Sequence, residues 1–140
     1  IKEKFKHVDI VLSPAMGGVV VGYEIGRQLN IETIFAERMD GSLILRRDFK
    51  IKKDSNVLIV EDVITTGKSA MECSNIVKAS GAKLVGYACI IDRGNENIAI
   101  KDQMVSQMKF NIETFTKDKI PEDLKKITPI KPGSRNLSKW

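Results

Sequence analysis

The sequence predicts a single α/β domain with a mainly parallel central sheet flanked by helices. The length of 140 residues fits one domain. Short apolar runs alternate with segments whose apolar residues recur at helical spacing. This alternation favours parallel strands joined by right-handed helical crossovers. Because no internal repeat or linker interrupts the pattern, residues 1–140 are expected to form one domain.

The first half of the chain alternates in this way. The expected elements are, in order, the end of an amphipathic helix at 1–7, a strand at 8–12 closed by a turn at Ser13 and Pro14, a helix at 19–29, and a strand at 33–36. Since residue 1 is Ile and a helix end comes first, an upstream segment is expected to be missing. Residues 37–53 contain the turn dipeptide Asp40-Gly41 between apolar runs and are expected to form a flexible hairpin loop.

The second half repeats the strand and helix pattern before it weakens. Residues 57–60 are continuously apolar, as in a strand covered on both faces. A helix is expected at 70–80 and a strand at 84–91. Past Gly94 the expected features are an ambiguous segment at 98–104, an edge strand at 110–115, a short helix at 121–127 and an extended or turned tail at 131–135.

Composition excludes several classes of function. The net charge of +5 comes from scattered lysines, and aromatic residues make up only 6%, so a small anionic ligand explains the charge at least as well as nucleic acid, and no nucleic-acid partner is expected. No apolar run reaches the roughly 20 residues of a membrane span, and no signal peptide precedes the first strand, which favours a cytoplasmic protein without membrane partners. Cys73, Cys89 and His7 lack the spacing of metal ligands, so no protein-held metal cluster is expected.

The segment at 57–69 carries the main chemical signal. An apolar strand delivers Glu61 and Asp62, and residues 65–69 then place small and hydroxyl side chains at the start of a helix. Successive backbone N–H groups at a helix N-terminus bind phosphate, whereas adjacent carboxylates would repel it and suit sugar hydroxyls, a cation or Mg²⁺. A phosphorylated ribose suits both parts of this segment, with its phosphate at residues 65–69 and its hydroxyls at the two acids. A nucleotide P-loop is excluded, because Asp62 stands five residues before Gly67, where that motif needs glycine.

Residues 57–67, VLIVEDVITTG, resemble the signature of type I phosphoribosyltransferases, which use 5-phosphoribosyl 1-pyrophosphate (PRPP). Within that family, the chain resembles the orotate-specific members. The segments that carry this resemblance are 13–18 with 22–24, 35–38 with 40–41 and 45–47, 61–69, and 92–94 with 131–135. The resemblance implies a homodimer that makes orotidine 5′-phosphate in pyrimidine synthesis, and an N-terminal hood that nothing before Ile1 supplies.

The resemblance also implies residue roles. Glu61 and Asp62 would hold the ribose hydroxyls and stabilise the oxocarbenium-like transition state, residues 65–69 would bind the 5′-phosphate, and the loop at 13–18, in which a cis peptide sometimes occurs, would bind pyrophosphate. The expected PRPP-binding residues are Ala15, Gly17, Gly18, Glu61, Asp62, Val63, Ile64, Thr65, Thr66, Gly67, Lys68 and Ser69.

The remaining implied roles concern the base, the cation and the metal. Arg93 would bind the orotate carboxylate, and Thr65 would also touch orotate. Arg38 is the expected catalytic cation, with Arg46 and Arg47 left as alternatives, although an adjacent arginine pair is often only a solvated charge pair. Mg²⁺ is the expected cofactor, held mainly through ligand and water oxygens rather than by protein ligands.

Two other functions stay open at this point. A phosphoribosyltransferase for another base, such as a purine, would leave Arg93 without a carboxylate partner. A regulator that senses PRPP and binds nucleic acid would need a basic face or an added domain, and neither is visible in the sequence.

Overall fold

The computed structural model describes residues 1–94, 98–100, 103–113 and 115–128. Within them the strands are β1 (Ile10–Pro14), β2 (Glu32–Met39), β3 (Ser42–Leu45), β4 (Asn56–Ile64), β5 (Lys83–Asp92) and β6 (Met104–Lys109). The helices are α1 (Gly17–Leu29), α2 (Lys68–Ala79) and α3 (Glu122–Lys125), with a 3₁₀ turn at Lys117–Lys119. The expected tail at 131–135 lies outside the described residues.

The strands form one sheet in the order β3-β2-β1-β4-β5-β6. Every pairing is parallel except that of β2 with β3. The predicted α/β class with a mainly parallel sheet is therefore confirmed. The chain runs outward from β1 to β2 and then returns to place β4 on the other side of β1. In open sheets of this kind, ligands bind at the carboxyl ends of the strands where the order reverses, which here lies between β1 and β4.

The two long helices cover opposite faces of the sheet. On one face, α2 contributes Cys73 and Val77 to the larger apolar core, while on the other face Val21 and Ile25 of α1 pack against a smaller core. The side chains of residues 57–60 are fully buried, as predicted for a central strand covered on both faces. Helix α1 lies very close to β1 because Gly22 has no side chain. A Cβ at this position would collide with the Ser13 hydroxyl.

The predicted hairpin is present as β2 and β3. Its turn residues, Asp40 and Gly41, have φ angles of 47° and 87°. Two successive positive φ values match the twist of a tight antiparallel hairpin, and Asp-Gly is a favoured pair for them. The short helix expected near 121–127 is also present, as α3. Among the described residues, no helix is long and apolar enough to cross a membrane.

Several expected boundaries are wrong. Residues 1–7 do not form a helix end but a single turn closed by hydrogen bonds to the Ile1 carbonyl, because Phe5 is buried against the sheet instead of lying on a helix face. Ser13 and Pro14 belong to β1 and pair with β2 rather than forming a turn. Proline is tolerated there because the pairing of β1 with β4 ends at Leu12, so its missing N–H leaves no gap in that ladder.

Two further strands differ from their predicted limits. Strand β4 continues past residue 60 to Ile64, since β5 supplies partners as far as Asp92. The described residues of 110–115 form no strand, and the edge strand is β6, which begins at Met104, the last residue of the segment that the pattern left ambiguous. Its outer residues are exposed on both faces, so it lacks the alternation of a half-buried strand, whereas Phe110 and Ile112 alternate but lie outside the ladder.

Candidate active site

The predicted ligand-binding segments meet at one edge of the sheet. The segments at 15–18, 61–69 and 93–94 follow or end β1, β4 and β5, which are neighbours in the sheet. Their carboxyl ends point the same way because these strands are parallel. The structure thus brings together the expected pyrophosphate loop, the acidic pair, the expected phosphate loop and Arg93.

Glu61 and Asp62 lie within β4, so their side chains point to opposite faces of the sheet. Asp62 faces the α1 side, where its carboxylate occupies the space beside Gly17: a Cβ built at Gly17 would lie 2.6 Å from the Asp62 Cγ. Glu61 faces the α2 side, and its charge contributes to the raised pKa of Cys73. The two acids therefore approach the site from different sides of the strand.

Glu61 has an unusual electrostatic environment. Burial raises its pKa from 4.5 to about 7, and the neighbouring charge of Asp62 adds to the shift. In the part of the chain that the structure describes, neither acid forms an ion pair or a side-chain hydrogen bond. The carboxylates are thus partly desolvated and lack a protein cation, which suits a cationic or hydroxyl-bearing ligand.

The segment at 65–69, called the phosphate cradle here after its predicted role, leads into the first turn of α2. Gly67 caps α2 with a φ of 77°, and its carbonyl accepts the Met71 N–H at 2.9 Å. No acidic residue lies in the first turn of α2, and Thr65, Thr66 and Lys68 are exposed. The Lys68 N–H donates to the Thr66 hydroxyl at 3.4 Å, a long hydrogen bond that a dianion at the start of this helix could replace. Ile64, by contrast, is buried, so only its backbone faces the loop.

A segment without a predicted role closes over this cradle. Ala99 donates its N–H to the Thr66 carbonyl at 3.1 Å, and Ile100 is buried against Gly67. Ile98 packs near both Gly67 and Gly94. Residues 98–100 therefore join the phosphate cradle to the loop that carries Arg93. In the sequence, only the alternation of Ile98 and Ile100 indicates a buried segment here. Such a short run does not show which part of the chain the two isoleucines pack against.

Arg93 is held by its backbone and free at its side chain. Its N–H donates to the Ile64 carbonyl at 2.8 Å, while its Nε is buried and has no hydrogen-bond partner among the described residues. Asp92, which sequence reasoning left without a role, fixes the turn: its carboxylate accepts the Gly94 N–H at 2.7 Å and lies 3.6 Å from the Lys109 ammonium. A buried guanidinium N–H without an acceptor is costly, so this position favours an anionic ligand.

The hairpin arginines are all paired. Arg38 makes a salt bridge to Glu72 of α2 at 3.0 Å, and its NH1 also donates to the Gly41 carbonyl at 2.6 Å. Arg46 and Arg47 both pair with Glu37, at 3.2 Å and 2.8 Å. Sequence reasoning did not find Glu72, because a single acid one turn into a helix is indistinguishable from an ordinary surface residue. The roles of the three arginines stay predictions.

The loop after β1 has the backbone that the resemblance implies. The Ala15–Met16 peptide bond is cis, and the Ala15 N–H donates to the Ala36 carbonyl at 2.8 Å. Gly18 is buried beside the Val60 carbonyl, whereas Gly17 is exposed and adjoins Asp62. The expected pyrophosphate loop therefore lies directly beside Asp62, on the face of the sheet opposite to Glu61.

The cysteines play no visible part in the site. Burial raises the pKa of Cys73 to about 12 and that of Cys89 to about 11, so both are protonated thiols at neutral pH. Cys73 is fully buried and packs in the larger apolar core as a small hydrophobic residue. In the described ranges, no cluster of acidic, histidine and cysteine side chains could by itself hold a metal ion.

Comparison with known sequences agrees with this geometry. A family model for the phosphoribosyl transferase domain matches residues 1–121. The orotate phosphoribosyltransferase of Methylorubrum extorquens (strain PA1) is 44% identical over 140 residues, and the alignment covers 99% of this chain and 71% of that protein.

Solved structures show the same fold. Adenine phosphoribosyltransferase from Rhodothermus marinus DSM 4252 matches with a TM-score of 0.67 at 18% identity, over 78% of this chain and 74% of that chain. Orotate phosphoribosyltransferase from Aeropyrum pernix matches with a TM-score of 0.63 at 20% identity, over 76% of this chain and 63% of that chain. The chain therefore belongs to the phosphoribosyltransferases, in the family of orotate phosphoribosyltransferases.

Proposed function

We propose that this chain transfers 5-phosphoribose from PRPP to orotate, giving orotidine 5′-phosphate and pyrophosphate for pyrimidine synthesis. The observation that carries the choice of orotate is Arg93, whose buried Nε has no hydrogen-bond partner among the described residues and which lies at the end of the sheet where the acidic pair is found. A planar guanidinium fork matches a carboxylate, which orotate has and the common purine bases lack. The family membership supports the same reaction.

In this proposal the ribose lies at the carboxyl end of β4, where Glu61 and Asp62 approach it from opposite faces of the strand. Glu61 and Asp62 accept hydrogen bonds from the ribose hydroxyls and stabilise the positive charge that develops on the sugar. The bond from C1 to the pyrophosphate oxygen breaks with its electron pair on the oxygen, and a ring nitrogen of orotate bonds to C1 after losing its proton to solvent. Residues 65–69 hold the 5′-phosphate, and the loop with Ala15, Gly17 and Gly18 offers N–H groups to the leaving pyrophosphate.

Mg²⁺ fits the donor set of this site. The ion prefers oxygen ligands and commonly takes one or two carboxylates together with substrate phosphate and water oxygens. PRPP and water oxygens would hold the ion beside Asp62 and Glu61, which are partly buried carboxylates without a protein cation within the described ranges. When bound, Mg²⁺ would neutralise charge on the departing pyrophosphate.

The proposal includes a homodimer. Its support is an exposed apolar stripe on the outer face of α1, where Val20 is 75% and Tyr23 63% exposed, preceded by the exposed Met16. Side chains at this spacing form one face of a helix, which a second copy would cover. Sedimentation velocity should show a dimer that Val20→Glu converts to monomer; a monomeric unmodified protein at micromolar concentration would contradict it.

The reaction is tested by pyrophosphate release from PRPP and Mg²⁺ with orotate, uracil, adenine and xanthine offered separately. Of the four bases, only orotate is expected to give pyrophosphate release. Arg93→Ala should raise the KM for orotate by about 100-fold while the KM for PRPP stays unchanged, because one charge-assisted contact is lost at the base.

Lys125→Ala is the control for this test, since Lys125 is an exposed cation on α3, away from the proposed interface, whose side-chain acceptor among the described residues is Glu122. Release with a base other than orotate would overturn the proposed substrate. Equal rises in both KM values for Arg93→Ala would remove the role assigned to this residue.

A further inference from the structure

Asp92 is the only charged residue that is buried in the part of the chain that the structure describes. It ends β5 and is 4% exposed, and the other buried polar residues, Ser13 and Ser74, carry no charge. A buried carboxylate destabilises a fold unless hydrogen bonds and a counter-charge compensate for the water that it loses. The contacts of Asp92 therefore show which parts of the chain this carboxylate holds.

Both carboxylate oxygens of Asp92 have a partner. Oδ1 accepts the Gly94 N–H at 2.7 Å, and Oδ2 lies 3.6 Å from Nζ of Lys109, the residue opposite Asp92 in the pairing of β5 with β6. The backbone of Asp92 is also fixed, because its carbonyl accepts the Phe110 N–H at 2.8 Å. Asp92 therefore joins the turn after β5 to strand β6.

The hydrogen bond from Gly94 to Asp92 spans Arg93. A carboxylate that accepts the N–H of the second residue after it closes an Asx turn, which restricts the backbone of the residue between them. The Arg93 N–H itself donates to the Ile64 carbonyl of β4 at 2.8 Å. The backbone of Arg93 is thus held both by β4 and by the Asp92 side chain.

This turn packs close to the phosphate cradle. A Cβ built at Gly94 would lie 2.6 Å from Ile98 Cδ1 and 2.9 Å from Asp92 Oδ1, so the absence of a side chain lets both groups approach. Ile98 also lies beside the cradle, since its Cγ1 would be 3.6 Å from a Cβ at Gly67. One isoleucine therefore separates the turn from the cradle, and the turn that Asp92 closes fixes where Arg93 lies relative to it.

Asp92 closes the turn without neutralising Arg93. Its ion pair is with Lys109, and the Arg93 side chain forms no ion pair or hydrogen bond among the described residues. An acid paired with the guanidinium would compete with an anionic ligand for the same N–H donors. Because Lys109 supplies the counter-charge of Asp92, the guanidinium stays available to a ligand.

We propose that Asp92 is a positioning residue for the orotate carboxylate: it fixes the turn that carries Arg93 and leaves the Arg93 guanidinium unpaired. The inference rests on the proposed function, in which Arg93 binds that carboxylate. It predicts a defect confined to ligands that carry the carboxylate, because the ribose and phosphate contacts lie on other segments. A residue needed only for folding would impair the binding of all ligands alike.

The test measures the binding of two nucleotides that differ only in the carboxylate. Orotidine 5′-phosphate carries it and uridine 5′-phosphate lacks it, and isothermal titration calorimetry gives the Kd of each without catalysis. Asp92→Ala should raise the Kd of orotidine 5′-phosphate about 10-fold and leave that of uridine 5′-phosphate unchanged, since the arginine remains but loses its fixed place. In initial-rate assays the KM for orotate should rise by a similar factor, with the KM for PRPP unchanged.

Two milder substitutions keep the test decisive if Asp92→Ala does not fold. Asp92→Asn retains an oxygen acceptor for the Gly94 N–H, so the Kd of orotidine 5′-phosphate should stay within about threefold of the unmodified value. Asp92→Ser offers a hydroxyl, which closes such turns more weakly, and should raise that Kd about 3- to 5-fold. In an Arg93→Ala background neither Asp92→Ala nor Asp92→Ser should have a further effect, because Asp92 acts through Arg93.

Asp9→Ala is the matched control. Asp9 Oδ2 accepts the Asn56 N–H, also at 2.7 Å, but Asn56 begins β4 and so lies at the opposite end of the sheet from Arg93. Asp9→Ala should lower the unfolding temperature and leave both Kd values unchanged.

Three results would overturn the proposal: an equal loss of affinity for both nucleotides, an unchanged Kd for orotidine 5′-phosphate in Asp92→Ser, or a full effect of either substitution in the Arg93→Ala background. A Kd in Asp92→Asn as high as in Asp92→Ala would also overturn it, because the turn would then not depend on the oxygen acceptor. An unmodified protein that releases pyrophosphate with another base and not with orotate contradicts the proposed function, and this result is visible before any Asp92 variant is compared.

Discussion

The end of β4 and the β2–β3 hairpin both carry clustered charged side chains, but only those of the hairpin are paired with opposite charges within the described residues. Glu61 and Asp62 lack a protein cation within the described ranges, and burial holds the pKa of Glu61 near 7. Each arginine of the hairpin has a carboxylate partner, Arg38 in Glu72 and the other two in the shared Glu37. The acids therefore depend on a ligand for an opposite charge, while the hairpin cations already contact one.

This contrast suggests different roles for the two regions: the unpaired acids stabilise charge during the reaction, whereas the paired arginines are held in a fixed orientation. An unpaired carboxylate in a partly desolvated site gains more from a developing positive charge than one already bound to a cation. A paired arginine instead has a fixed orientation and little excess charge to offer. Substitutions at the acids should therefore impair turnover strongly, whereas substitutions at the hairpin should have effects graded by how directly each arginine meets PRPP.

The largest effect is expected for Asp62→Asn. The substitution keeps the shape of the side chain but removes the charge that stabilises the sugar cation, so kcat/KM should fall by about 100- to 1,000-fold, the usual range for one electrostatic group. Initial rates of orotidine 5′-phosphate formation measure it. Asp123→Asn, at an exposed position of α3, is the control. A loss below tenfold would show that the unpaired acids are not the main electrostatic element.

The next effect comes from the residue that Asp62 touches. Gly17→Ala would place a methyl group against the movable carboxylate of Asp62, so activity should fall by about 10- to 100-fold with little change in stability. Gly18→Ala would instead meet the Val60 backbone carbonyl at 2.9 Å and should lower the unfolding temperature. Thermal unfolding and initial rates separate the two variants. Equal destabilisation by both would mean that Gly17 serves packing alone.

The sequence predicted the fold well because β4 and α2 have unmistakable patterns. Four consecutive apolar residues at 57–60 are typical of a strand covered on both faces, and Gly67 followed by a helical spacing marks the start of α2. The pairing of Arg38 with Glu72 was not predictable, since 34 positions separate the partners and only the sheet order brings them together. Strand β6 was misplaced because its edge position removes the alternation on which such predictions depend.

A pH dependence should follow from Glu61. Its pKa is higher in the folded protein, about 7, than the ordinary value of 4.5, so protonation favours the fold. This contribution is complete below pH 4.5 and is lost as the pH rises through 7. The shift corresponds to roughly 3 kcal/mol at 1.36 kcal/mol per unit, which partial exposure reduces to about 1–2 kcal/mol.

Chemical unfolding at pH 5 and pH 8 should show this difference, and Glu61→Gln should remove it. The same ionisation should make kcat/KM for PRPP rise towards pH 7 in the unmodified protein, because the free enzyme needs the carboxylate. Glu113→Gln, at an exposed position, is the control. A pH-independent stability that Glu61→Gln leaves unchanged would contradict the environment described for Glu61.

The smallest effects are expected for Arg46→Ala and Arg47→Ala. Both side chains are exposed and share one acceptor, Glu37, so either arginine can neutralise it when the other is removed. Each variant should change kcat/KM by less than about threefold and leave the unfolding temperature unchanged within error, as is usual for surface ion pairs. Arg47 also lies 5.9 Å from the Phe35 ring, so its loss should be the more noticeable of the two. Initial rates at several PRPP concentrations, measured beside Arg38→Ala, decide the matter. A loss of a hundredfold in either variant would move the catalytic cation from Arg38 to the Arg46–Arg47 pair, and the salt bridges to Glu37 would then describe a resting arrangement that PRPP replaces.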